Sequence, residues 1–152
     1  MGAKLGRGAP IRATTRLHAS IQTLPRPDAK SYVFGVTAGN DVSERDWQRA
    51  DLQWLRAKAS HTFGPAVVTG LNYDDLLLQT GLNGEVVQSQ RTRHLIFDIA
   101  TIVSYVSQYV TLEPGDVIYT GTPGTTRVMK AGDTVEVEVE GVGVLRNRVV
   151  QR

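Results

Sequence analysis

"DDLLLQTGLNGEVVQSQ", residues 74 to 90, sets Asn83-Gly84 between two apolar-rich runs. A two-residue connection of this kind supplies the positive φ angles of a type I′ turn, whose twist matches that of the strands on either side. The stretch therefore predicts a β-hairpin. A second hairpin is expected in "DTVEVEVEGVGVLRNRVV", residues 133 to 150. There Val135, Val137 and Val139 alternate with Glu136, Glu138 and Glu140, and successive side chains of a strand point to opposite faces. The valines are expected inside and the glutamates in water, with the turn at Gly141 to Gly143.

Around these hairpins the remaining elements read as short. "SYVFGVT" (31–37) and "AVVTG" (66–70) have the aromatic and β-branched content of strands. "SERDWQRADLQWLRAK" (43–58) spaces Trp47, Leu52, Trp54 and Leu55 among charges, which suits one or two helical turns. "IATIVSYVSQYV" (99–110) places Ile99, Ile102, Val103, Val106 and Val110 at three- and four-residue steps, so an amphipathic helix is expected despite the β-branched residues. "EPGDVIYTGTPG" (113–124) reads as a turn, a strand and a Gly-Pro loop. The sum is an α+β domain, β-rich, with few short helices.

The chain has 152 residues, 41% of them apolar, enough for one domain with a real core. It has no cysteine, which excludes disulfides, thiolate metal sites and cysteine nucleophiles and agrees with a reducing, cytoplasmic setting. No apolar run approaches the roughly 20 residues of a spanning helix, so no membrane role is expected. Residues 1–30 carry six basic side chains against Asp28 alone, a balance of +5, whereas the remainder has eleven basic and fourteen acidic residues, a balance of −3. The leader is also rich in Gly, Pro, Ser and Thr, and reads as an irregular basic arm preceding a domain at 31–152. A solvated tail, a targeting segment and a nucleic-acid arm all suit its charge. No aromatic residue interleaves the basic ones, so the stacking half of a nucleic-acid surface is absent and no nucleic-acid partner is expected.

Charge also gathers at "AGNDVSERDWQ" (38–48), directly after the first predicted strand. On its residues alone an Asn-Asp pair there is a turn former, Arg45 between Glu44 and Asp46 a surface ion pair, and Lys58 a solvated lysine. His61 and His94 read as hydrogen-bonded structural histidines. A larger pattern takes in the same residues. "GVTAGNDVSERDWQ", then Lys58 in "LRAKASHTFGP", then "LNGEVVQ", "LIFDIATIVSYVSQYVTLEPGDVIYTGTP" and "AGDTVEVEVEGVGVLRNRV" follow one another in order from about Ser31 to Val150. In that order and spacing the chain resembles the C-terminal catalytic domain of the fumarylacetoacetate hydrolase family.

The resemblance implies a mixed β-roll around a divalent cation, Mg2+ or else Mn2+ or Ca2+, commonly in a homodimer. It implies catabolic chemistry on small 2-oxo, 1,3-diketo or enol acids: C–C hydrolysis, decarboxylation, isomerisation or tautomerisation. By the same resemblance Asp41 binds the metal, Arg45 and Gln48 hold substrate oxygens, and Lys58 is the catalytic residue that stabilises an enolate while touching substrate. Thr122, in "TGTP", receives the substrate carboxylate. These roles suit the groups: a hard cation wants oxygen ligands, and a guanidinium fork pairs with a carboxylate. The family's Glu-x-Glu strand, which completes the metal shell, has no counterpart before Asp41, and "GTTRV" stands where Gly-Val-Gly usually follows TGTP. Without a located water-activating pair, decarboxylation or tautomerisation needs fewer missing parts than hydrolysis. The other class in view is a shortened, catalytically weak relative serving as a dimerising or ligand-binding module.

Overall fold

A computed structural model describes residues 21–40 and 68–150. Asn83 and Gly84 adopt φ of 53° and 84°, and the expected hairpin forms between β3 (Leu77–Leu82) and β4 (Glu85–Arg91). Its tip is fastened to the next strand. Asn83 N–H donates to the Thr134 carbonyl at 2.8 Å, and Asn83 Oδ1 accepts from Thr134 N at 2.9 Å. The second hairpin joins β5 (Thr134–Val139) to β6 (Gly143–Arg148). Together they form a four-stranded sheet in the order β4-β3-β5-β6, antiparallel throughout. A separate pair joins β1 (Gly35–Val36) to β2 (Val68–Thr69).

The inward valines are where alternation puts them: Val135, Val137 and Val139 are buried, together with Leu78 from β3. Glu138 and Glu140 are exposed, and Glu136 is half-buried beside Arg146. Against this core packs α2 (Ile99–Ser107), whose N-cap Asp98 accepts from Thr101 N at 2.7 Å. Few helical residues and two hairpins make the described structure the β-rich α+β fold that the pattern indicates.

Three expectations shift. The buried stripe of α2 is Ile99, Ala100, Val103, Ser104 and Ser107, while Ile102 and Val106 flank it half-buried and Val110 lies exposed beyond the helix end. The two serines are tolerated there because their hydroxyls act on the backbone: Ser104 Oγ donates to the Leu24 carbonyl at 2.7 Å, and Ser107 Oγ accepts from Leu24 N at 2.9 Å. Secondly, residues 21–30, read from composition as irregular arm, are packed. Ile21, Leu24 and Ala29 enter the core, Ile21 and Leu112 exchange backbone hydrogen bonds, and α1 (Arg26–Ala29) is a single helical turn after Pro25. Their partners are about 80 residues away in sequence, so no local period announces them. Thirdly, residues 117–120 form no regular strand; only an isolated bridge follows at Gly121. Gly121 has φ of 118° and Pro123 has no N–H, which ends any ladder at this point. The helical turns expected at 43–58 lie outside the described residues.

Candidate functional site

The "TGTPGTTR" loop, residues 120–127, lies over β4 and is held by side chains rather than by a strand ladder. Gly121 and Gly124 supply φ of 118° and 61°, a backbone region that β-carbons disfavour, and so let the loop fold back on itself. Beneath it Gln88 is buried, and its Nε2 donates to the Pro123 carbonyl at 2.6 Å, with the Thr125 carbonyl at 3.2 Å and Thr122 Oγ1 at 3.3 Å also in reach. At the far end Arg127 Nη1 and Nη2 grip Glu85 Oε2 and Oε1, each at 2.8 Å, in a fork-to-fork pair. That hydrogen-bonded guanidinium holds the Glu85 carboxyl below the usual carboxylate range.

The sheet aims Gln88 at the loop through an irregularity. Gly81 pairs with Val86, but Thr80 pairs with Gln88, so Val87 is an extra residue on β4. In an unbroken ladder Val87 would stand opposite Thr80; the bulge passes that inward position to an amide. Gln88 Oε1 and Thr80 Oγ1 are both buried without a partner, and the two residues stand beside a small hollow of about 10 Å3 that Thr126, Arg127 and Met129 also line.

A second group of interest stands where the buried run Gly35–Asn40 leaves the core. Asn40 is buried; its Nδ2 donates to Asn147 Oδ1 on β6 at 3.3 Å, and its Oδ1 has no partner. The next residue is Asp41. Asp41, Arg45, Gln48 and Lys58 lie outside the described residues, so of the five residues singled out from the sequence only Thr122 is described here. Thr122 is exposed on its loop, with its hydroxyl within reach of Gln88. Among the described residues no three His, Asp or Glu side chains come together as a metal site. The residue that sequence reading missed is Gln88. Its only signal is a polar side chain following two valines in "EVVQ", and the inward turn depends on a bulge that alternation does not reveal.

A loop held over an antiparallel sheet by a buried amide, in a β-rich α+β fold, is the frame in which the chain's kinship can be placed. The family described as fumarylacetoacetate (FAA) hydrolase C-terminal matches residues 15–150. The chain belongs to the fumarylacetoacetate hydrolase family. It is 44% identical over 137 residues to the rat mitochondrial oxaloacetate tautomerase Fahd2a, covering 81% of this chain and 44% of that one. Among solved structures it is similar to 5-carboxymethyl-2-hydroxymuconate delta-isomerase from Mycobacterium smegmatis, with a TM-score of 0.87 and 43% identity over 93% of this chain and 57% of that one. It is also similar to fumarylpyruvate hydrolase from Pseudomonas aeruginosa, solved with Mn2+ and pyruvate, with a TM-score of 0.86 and 25% identity over 95% of this chain and 66% of that one. The chain spans about half the length of the curated relatives it matches. No helix among the described residues is long and apolar enough to cross a membrane.

Proposed function

We propose that this chain carries the substrate-binding half of an enzyme that isomerises or tautomerises small 2-oxo acids, with oxaloacetate as the first substrate to test. The observation that carries the reading is the loop at Thr122, exposed at the surface and held over the sheet by the buried Gln88 amide through the Pro123 and Thr125 carbonyls. Similarity to an isomerase and a tautomerase favours proton transfer next to a carbonyl over hydrolysis. In such a reaction a proton passes from C3 of the oxo acid to solvent water, negative charge builds on the oxygen at C2, and that oxygen takes up a proton to give the enol. Arg45 and Gln48 would orient the acid through its oxygens, Thr122 would take the distal carboxylate, and the Lys58 ammonium would donate to the developing enolate oxygen. Groups fixed before the charge appears need not reorganise as it forms, which is why a rigid loop matters.

A divalent cation fits the one hard oxygen ligand available by resemblance, Asp41, with Mg2+ or Mn2+ completing its shell from other oxygens. When bound it would polarise the oxo group as a Lewis acid. Asn40, whose amide is tied to Asn147, would fix the backbone from which Asp41 departs. The cytoplasm and a homodimer remain the expected setting. Exposed Ile96, Phe97, Tyr105 and Tyr109 beside α2 offer apolar area for a second copy, which sedimentation would reveal.

The test is enol-to-keto conversion of oxaloacetate followed by loss of enol absorbance. The parent protein should accelerate it, and Lys58→Ala should lower kcat by about a hundredfold or more with the melting temperature nearly unchanged. Equal rates in the two proteins would remove Lys58 from the chemistry. No acceleration by the parent, with Mn2+ supplied, would favour the ligand-binding module instead.

A further inference from the structure

We propose that Gln88 is a positioning residue for the Thr122 loop, holding it in the shape that meets a substrate carboxylate. The inference rests on the reading of Thr122 above, and extends it to a residue on a different element.

Three features converge on Gln88. First, its Nε2 has two N–H donors and faces three acceptors, the carbonyls of Pro123 and Thr125 and the Thr122 hydroxyl. The two carbonyls fix which end of the amide faces the loop, because an oxygen there would repel both. A loop with no strand ladder of its own is thus fastened at both sides of Gly124, the residue that permits its reversal. Secondly, the arrangement is built at a cost. A bulge turns the chain so that an amide, not Val87, occupies the inward site opposite Thr80, and bulges of this kind serve to re-aim side chains. A valine at that site would pack and leave the loop carbonyls unanswered. Thirdly, the opposite end of the amide, Oε1, is buried without a partner, so every hydrogen bond of the Gln88 side chain goes to the loop.

Glu85 and Arg127 restrain the loop's far end.

The test uses Gln88→Met, of similar length without donors, and Gln88→Glu, of the same shape with acceptors only at neutral pH. Thr122→Val serves as reference. Amide hydrogen exchange across 121–126 is measured beside KM and kcat for oxaloacetate. Both Gln88 variants should speed loop exchange about tenfold and raise KM about tenfold, as the loss of one or two hydrogen bonds implies, with kcat much less affected and exchange in β3 and β5 unchanged. Loop exchange equal to the parent's would overturn the inference. Faster exchange with unaltered KM, in a protein where Thr122→Val does raise KM, would overturn it as well. Should Thr122→Val leave KM untouched, the carboxylate role of Thr122 fails, and loop exchange then decides the Gln88 clamp by itself.

Discussion

The sheet and the Thr122 loop are built on opposite plans. In β3 to β6 each hairpin is fixed by its own local sequence, a two-residue turn at Asn83-Gly84, alternating valines in β5 and a glycine-bounded return at Gly141 to Gly143, and only the β3–β5 ladder joins residues distant in the chain. The loop at 120–127 has no such internal logic. Its shape comes from a buried amide on β4 and an arginine fork to Glu85, both more than thirty residues distant in sequence. A backbone ladder gives stability whatever its side chains display to solvent. A loop held by side chains is free of that constraint, and binding residues are disproportionately found on loops positioned by a rigid scaffold. Damage to the two regions should therefore differ in kind, global in the first and local in the second.

The largest effect is expected from Leu78→Ala. Leu78 is fully buried at the centre of the sheet, and its truncation should cost about 2 to 5 kcal/mol in denaturant unfolding. A loss under about 1 kcal/mol would mean that the sheet is not the stable body of the domain. Next comes Gly84→Ala. No atom lies within 4 Å of the added carbon, so the cost is backbone strain at φ of 84°, about 1 to 2 kcal/mol. An unchanged midpoint would show that the tip does not set the register.

Asp98→Ala should cost about 1 kcal/mol through loss of the α2 cap. The carboxyl of Asp98 is held below its usual range by hydrogen bonds from the side chain and backbone of Thr101, and to a lesser degree by Arg26. A lowered folded pKa gives stability that is complete above the unfolded value near 3.9 and lost as pH falls through the folded one. Asp98→Asn keeps the cap but cannot titrate. The gap between parent and Asp98→Asn should close on acidification below about pH 4, and a gap constant with pH would contradict the assignment. The smallest global effect belongs to Glu85→Gln. Unfolding should be unaltered, since the pair is exposed, while loop amides near Arg127 exchange faster, and added salt should blunt the difference.

What could be read from sequence follows the same division. Asn83-Gly84, the β5 alternation and the helix at 99 are rules of nearest neighbours, and the structure has all three. Ile21, Leu24 and Ala29 went unnoticed because their partners, Ser104, Ser107 and Leu112, are distant in the chain and partly polar. Thr122 was reached through family resemblance, not through any property of a threonine in a loop. Gln88 stayed hidden because a bulge reverses the face that strict alternation assigns. The burial of its Oε1 opposite Thr80, whose Oγ1 is likewise unbonded, is visible only when the strands are paired.

The most direct test of the whole account is a crystal structure of the protein with Mn2+ and oxalate, an enolate mimic. The metal is expected on Asp41, oxalate oxygens on Arg45 and Lys58, and the Thr122 hydroxyl turned toward the same cavity with Gln88 still bonded to Pro123. Oxalate bound elsewhere, or Thr122 on a face remote from Asp41, would contradict it.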